Sequence, residues 1–193
     1  MYRDHEQRTA TSVTIRPVRP ADAPLLDRWR LEPSVREHQP LSDASAAQLL
    51  ADLHRQRHED LYASHGEKFQ WLVLEDLQPA GWITLVVINW SHGLAEIGYA
   101  LSTEYQRRGL MAQALELLIS DLFVRTAIRR IEARCAVSNQ ASQRVLERVG
   151  FEREGLLRGY FLLRGQPVDN YLYAILRADS GAQETGALPP RRP

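Results

Sequence analysis

Glu104-Tyr105-Gln106-Arg107-Arg108-Gly109-Leu110-Met111 is the stretch on which the fold of this chain turns. Behind it, Met111, Leu115, Leu118 and Leu122 recur at helical spacing with Ala114 and Ile119 beside them, which predicts a long amphipathic helix starting just after Gly109. A glycine there lets backbone approach a ligand closely, and the first turn of a helix has N–H groups without intrahelical partners. With the positive end of the helix dipole, these make a site for a phosphate or diphosphate, and Arg107 and Arg108 add charge to its rim. The stretch lacks the Lys-Ser/Thr pair of a P-loop and the three glycines of a dinucleotide fingerprint, so neither ATP nor NAD is indicated. Taken alone, it fits a turn glycine beside two solvated arginines better than a ligand site. Its surroundings decide.

Upstream, Phe69 to Glu75, Trp82 to Ile88 and Ala95 to Leu101 alternate like strands. The Pro79-Ala-Gly and Ser91-His-Gly turns join them into consecutive antiparallel hairpins. Earlier still, Val13, Ile15 and Val18 form an extended segment ended by Pro17 and Pro20. Asp22 reads as the cap of a helix carrying Leu25, Leu26 and Trp29. Asp43 or Ser45 caps a second helix that buries Leu49, Leu50, Leu53 and Leu61 and stops at Gly66. Downstream, Ile131 to Val137 is a strand, Ala141 to Val149 a short helix ended by Gly150, and Phe151–Leu163 and Asn170–Arg177 two strands around the Arg164-Gly-Gln-Pro turn, with a break at Gly155. The order predicts a mixed α/β (α+β) domain with one right-handed crossover through the long helix.

One domain spans 13–179, between an N-terminal segment, 1–12, and a Gly/Ala/Pro/Arg-rich tail, 180–193, both of which read as disordered. Lys plus Arg equals Asp plus Glu at 24 each in 193 residues, which argues against a protein built to neutralise nucleic-acid phosphates. There is one cysteine, Cys135, in an alternating apolar segment where it reads as core, so no internal disulfide forms. The polar N-terminus carries no secretory pattern and no apolar run approaches the length of a membrane span, which leads us to expect a soluble, cytoplasmic protein.

Gln106-Arg107-Arg108-Gly109-Leu110-Met111 resembles the coenzyme A pyrophosphate loop of the GNAT superfamily of N-acetyltransferases. Val137-Ser138-Asn139-Gln140-Ala141-Ser142, followed by Glu147-Arg148-Val149-Gly150-Phe151, is similar to that superfamily's second signature. Glu96-Ile97-Gly98-Tyr99, Glu154 to Arg158 and Gly165-Gln-Pro-Val-Asp169 resemble its ribosomal-protein alanine acetyltransferase branch, the RimJ/RimL-like enzymes. The likeness covers nearly the whole of 13–179. It implies a GNAT fold, a central, mixed but mostly antiparallel sheet of about seven strands with a splayed pair and about four helices. It also implies acetyl-CoA as cosubstrate and an amine as acceptor, with no nucleic acid, no membrane and no metal, and it is compatible with a homodimer.

The resemblance assigns roles as well. Backbone groups of Ala100, Leu101 and Ser102 would bond the coenzyme's pantetheine arm, N–H groups of the loop from Gln106 through Arg107, Arg108, Gly109, Leu110 and Met111 to Ala112 would hold the pyrophosphate, and Asn139 would bond the arm from the other side. The amine attacks the thioester directly, so it must be neutral, the developing oxyanion needs a donor and the leaving thiolate needs a proton. Glu96 is the candidate base through a water, against a plain salt-bridge role. Ser142 is the candidate proton donor, against a serine bonding its own helix. Leu146 stands where many relatives carry the acidic tyrosine, and Leu156 to Arg164 contains no carboxylate, so Tyr160 is left as a candidate wall of the acceptor site.

Other features carry less. His54 and His58 at helical spacing lack a third ligand and read as surface residues. Trp71, Trp82 and Trp90 read as core or rim aromatics, and His92 as a turn residue. Three functions remain open: a protein or peptide N-terminal acetyltransferase, a polyamine or aminoglycoside-like acetyltransferase, and a non-catalytic acyl-CoA sensor.

Overall fold

The computed structural model describes residues 12–41 and 46–180. Its strands are β1 (Val13–Pro17), β2 (Lys68–Glu75), β3 (Gln78–Asn89), β4 (Leu94–Leu101), β5 (Arg130–Ala136), β6 (Glu152–Leu163) and β7 (Gln166–Leu176). Its α-helices are α1 (Ala23–Arg30), α2 (Pro33–Arg36), α3 (Ala46–Arg55), α4 (His58–Tyr62), α5 (Leu110–Arg125) and α6 (Gln140–Val149). The strands form one sheet in the order β1-β2-β3-β4-β5-β7-β6. Every neighbouring pair is antiparallel except β4 and β5, which the α5 crossover makes parallel. This is the mixed, mostly antiparallel seven-stranded α/β architecture that the resemblance implied, with six α-helices among the described residues where about four were expected.

Side-chain alternation gives the sheet two apolar faces. Ile97, Ile131, Ala133, Cys135, Tyr173 and Ile175 pack with Met111, Leu115, Leu118 and Leu122 of α5 and Leu146 of α6. On the other face Leu72, Leu74, Trp82 and Ala100 pack against Leu26 and Trp29 of α1 and Leu49 and Leu53 of α3, with Trp29 stacked on Trp82 at 6.3 Å between ring centres. Cys135 is core, as its alternation predicts.

The structure departs from the sequence reading in several places. The expected Pro79-Ala-Gly turn lies inside β3, and the β2–β3 hairpin turns instead at Asp76 and Leu77, both at positive φ (47° and 68°); Leu50, expected on the buried side of its helix, is exposed. The expected second helix is broken into α3 and α4 at Gln56-Arg57, where Arg57 is extended. The break lets Leu49 and Leu53 join one core and Leu61 the other, which a straight helix could not do. Its expected caps, Asp43 and Ser45, lie outside the described residues. Asp22 does not cap α1 through its side chain; its carboxylate accepts from the Arg19 N–H (2.7 Å) and pairs with Arg16 (2.7 Å), pinning the 3-10 turn before the helix. Finally, β7 begins at Gln166 rather than Asn170, because Arg164 and Gly165 both adopt positive φ (51° and 77°) and turn the β6–β7 hairpin in two residues. The registers of β6 slip at Gly155, as the sequence suggests, and again between Leu157 and Phe161.

His54 and His58 fall on different helices, and among the described residues no group of three or more His, Cys, Asp or Glu side chains is arranged to hold a metal. Among them also, no helix is long and apolar enough to cross a membrane.

Candidate active site

The pairing of β4 with β5 lasts only from Leu94↔Arg130 through Ala95↔Ile131 to Glu96↔Glu132. Beyond that point Ile97–Leu101 keeps its partner β3 on one edge and leaves β5 on the other, so the sheet opens. Parity decides which backbone groups face the opening. Ser102 donates its N–H to Ala80 O (2.9 Å), and Ala100 stands opposite Trp82, so both turn their backbone groups toward β3. Tyr99 and Leu101 therefore turn theirs into the gap. Two side chains confirm that edge: Gln39 Nε2 donates to Tyr99 O (2.7 Å) and Gln106 Nε2 to Leu101 O (3.1 Å). Of the three residues expected to offer backbone groups to an arm, Leu101 alone has this orientation. Ala100 and Ser102 do not, and Tyr99, which the sequence reading passed over, does.

The loop leading to α5 is a 3-10 turn, Thr103–Tyr105, then extended Gln106, then Arg107 and Gly109 at φ 64° and 76°. A Cβ on Gly109 would meet nothing within 4 Å, so glycine is required there by conformation and not by crowding. Among the described residues, the backbone N–H groups of Arg107, Arg108, Gly109, Leu110, Met111 and Ala112 have no protein acceptor, and Gln113 is the first to bond back, to Gly109 O at 3.4 Å. Alternating positive-φ residues and a helix start gather these donors into a concave anion nest. The side chains of Leu110, Met111 and Ala112 are buried, so these residues offer backbone alone.

Arg108 is not the free rim charge the sequence suggested. Its guanidinium pairs with Glu75 (2.8 Å), donates to Glu104 O (2.7 Å) and lies over the Tyr105 ring. Arg107 is exposed. A second brace comes from the α1–α2 corner, where the Glu32 carboxylate accepts from Ser102 Oγ (2.9 Å), Thr103 N–H (2.7 Å) and Thr103 Oγ1 (2.6 Å). Burial pushes the Glu32 carboxyl upward, and the Thr103 and Ser102 hydrogen bonds outweigh it, leaving its pKa lowered. Ser34 ties the same corner to Thr103 (2.8 Å) and Gln106 (3.2 Å).

Across the gap, Asn139 begins α6 and its Oδ1 accepts the Ser142 N–H (3.0 Å), a regular N-cap. Ser142 Oγ lies 2.8 Å from the Tyr99 hydroxyl. Tyr99 thus reaches from β4 to α6, and burial raises its pKa above the ordinary tyrosine value. Burial likewise raises the Cys135 thiol, which sits 3.5 Å from Asn139 O.

The other face of the sheet near the opening carries Glu96, whose carboxylate pairs with Arg134 of β5. Arg134 in turn lies over the Tyr160 ring at 5.0 Å and 3.8 Å from Glu132, while Arg130 joins Glu132 (2.9 Å) to Glu154 (2.6 Å). Between Glu96 and Ala100 the floor is open, for a Cβ on Gly98 would meet nothing within 4 Å. Arg134 stands diagonally across from Glu96 once β4 and β5 are paired in this register, which the sequence does not give. Glu32 and Gln39 left no signal in it either.

Comparison with known proteins agrees with this geometry. The family described as acetyltransferase (GNAT) domain matches residues 12–152. An uncharacterised N-acetyltransferase, p20, of Bacillus licheniformis is 28% identical over 170 residues, covering 86% of this chain and 94% of that protein. The [ribosomal protein uS5]-alanine N-acetyltransferase of Escherichia coli K12 is 34% identical over 93 residues, 48% of each chain, so here this chain spans about half the length of its relative. Among solved structures, RimL, a ribosomal L7/L12 α-N-protein acetyltransferase in complex with coenzyme A, superposes with a TM-score of 0.75 at 25% identity over 87% of this chain and 95% of that one.

Proposed function

This chain belongs to the acetyltransferase (GNAT) domain family and is an N-acetyltransferase that takes its acetyl group from acetyl-CoA, and from that premise we propose that its acceptor is the amino terminus of a protein or peptide. The observation that carries the donor side is the uninterrupted run of backbone donors from Arg107 to Ala112, which suits a phosphate or diphosphate group such as the coenzyme carries. On the acceptor side, the likeness to the uS5-alanine and L7/L12 enzymes supports a peptide amine. So does the open floor over Gly98, which gives an extended chain room beside β4.

The pantetheine arm runs along the exposed edge of β4, bonding Leu101, and the thioester carbonyl lies near Tyr99, whose N–H faces the opening and serves as the oxyanion donor. An α-amino group titrates near about 8 and a lysine near about 10.4, so a peptide N-terminus reaches its neutral form more readily. Glu96, on the open face, takes the proton that the amine sheds, through a water, and Arg134 holds its carboxylate in place. Attack of nitrogen on the carbonyl carbon and loss of sulfur forms the amide, and Ser142 hands its proton to the leaving thiolate. Asn139 acts by holding the first turn of α6, and with it Ser142, at the opening. Tyr160 walls the acceptor site through its contact with Arg134. The site acts in a soluble, cytoplasmic protein.

A panel of amines with acetyl-CoA tests the acceptor. Thiol release with peptides beginning in Ala or Ser, and little with spermidine or an aminoglycoside, supports this assignment. The reverse pattern moves it to a polyamine-type enzyme, and tight coenzyme binding with no turnover on any amine makes the chain a sensor.

A further inference from the structure

The Tyr99 side chain links the two walls of the opening on the α5–α6 face of the sheet, the face opposite the Glu96–Arg134 pair. Its backbone belongs to β4, its ring packs with the core under α5 and α6, and its hydroxyl meets Ser142 Oγ at 2.8 Å on the far wall. The same hydroxyl donates toward Ser142 O at 3.4 Å, while in the 2.8 Å contact either oxygen can donate. Ser142 is otherwise held through its backbone N–H, by Asn139 Oδ1 at 3.0 Å, and its hydroxyl has the buried Cys135 thiol as a second neighbour, so without Tyr99 the rotor is free to turn to the thiol instead.

We propose that Tyr99 is a positioning residue for acetyl transfer, whose hydroxyl donates to Ser142 Oγ and thereby aims the serine's own proton at the sulfur of the departing coenzyme. The inference rests on the acetyl-transfer reading and on Ser142 as proton donor. A hydroxyl that accepts one hydrogen bond is a better donor of its own, so the contact both orients Ser142 and strengthens it. The balance is simple. The carbon–sulfur bond breaks with its electron pair on sulfur, Ser142 Oγ–H delivers the proton that makes the thiol, and Ser142 regains one from the solvent that carries away the proton shed by the amine nitrogen. Tyr99 keeps its proton throughout. Burial holds the phenol neutral, which suits a residue that donates a hydrogen bond and does not ionise.

The test is a double-variant cycle on the full chain, with acetyl-CoA and whichever amine gives turnover. Tyr99→Phe keeps the ring and its packing, and is expected to lower kcat about tenfold while KM for acetyl-CoA stays within about twofold. Ser142→Ala is expected to lower kcat about a hundredfold. In the Ser142→Ala background, Tyr99→Phe should then cost less than about twofold, since nothing remains for it to aim. A full tenfold penalty in both backgrounds overturns the proposal in favour of a packing role, and an unchanged kcat in Tyr99→Phe alone overturns it outright. Failure of the wild-type chain to turn over any amine would instead sink the acetyl-transfer reading, so the two failures are told apart. If Tyr99→Phe proves unstable by thermal melting, Tyr99→Phe/Ser142→Ala against Ser142→Ala still decides, because a structural penalty appears in that pair and a positioning effect does not.

Discussion

The two sides of the opening between β4 and β5 are built from different materials. On the side proposed for the donor, at the start of α5, the ligand groups are main chain: among the described residues six consecutive N–H groups from Arg107 to Ala112 have no acceptor, and Arg108, one of the two arginines expected on the rim, is held by Glu75 and Glu104. On the side proposed for the acceptor the groups are side chains that already hold one another, Glu96 with Arg134, and Arg130 with Glu132 and Glu154. Main-chain donors at a helix start suit a ligand part that never varies, the diphosphate. Paired side chains can be changed one at a time without disturbing the loop, which suits an acceptor site that differs between enzymes sharing a fold.

The contrast can be broken or sharpened by substitution. The largest effect is expected at Glu96→Gln, which should lower kcat about a hundredfold in steady-state thiol release while acetyl-CoA binding changes less than about twofold. Unchanged turnover would remove Glu96 from proton transfer and leave it as a partner of Arg134. Next comes Gly109→Val. A Cβ there meets nothing within 4 Å, but φ 76° is costly for a β-branched residue, so the loop relaxes and the nest is lost. Calorimetry should find acetyl-CoA bound about thirtyfold more weakly, with a melting temperature only a few degrees lower.

Glu32→Gln should weaken acetyl-CoA about tenfold, because one of the two carboxylate oxygens that accept from Thr103 and Ser102 becomes an NH₂. It also carries a pH signature. The Glu32 carboxyl is depressed in the folded protein, so its contribution is present above the unfolded value near about 4.3 and is lost as pH falls through the lower folded value. Acid unfolding curves of the variant should therefore fall less steeply below that point than those of the wild type. The smallest effect is expected at Arg108→Ala, about threefold in acetyl-CoA affinity, since its guanidinium braces Glu75 and a loop carbonyl and is about half exposed. A loss as large as that of Gly109→Val would mean that side-chain charge, not main chain, holds the diphosphate.

The same division explains what the sequence disclosed. The donor side is written locally: a glycine that must take positive φ, a helix whose apolar stripe starts just behind it, an asparagine cap followed by Ser142. Each is a relation between neighbours in the chain. The acceptor side depends on pairings between distant segments. Arg134 becomes the partner of Glu96, 38 residues away, only when β4 and β5 are set parallel, and Glu32 reaches Thr103 from 71 residues away. The backbone edge offered by Tyr99 and Leu101 follows from hydrogen-bond parity with β3, which alternation of side chains does not fix in advance, so Ala100 and Ser102 were expected on the wrong edge. The break between α3 and α4 escaped notice for a similar reason, because periodicity over Leu49, Leu53 and Leu61 cannot tell that these residues enter two separate cores.

Hydrogen–deuterium exchange of the main chain over residues 106–113, with and without acetyl-CoA, bears most directly on the idea that this loop holds the diphosphate through its backbone. The account predicts rapid exchange of the Arg107 to Ala112 amides in the free protein and marked slowing on saturation, in Arg108→Ala as in the wild type. Acetyl-CoA binding that leaves those amides exchanging as before would contradict it.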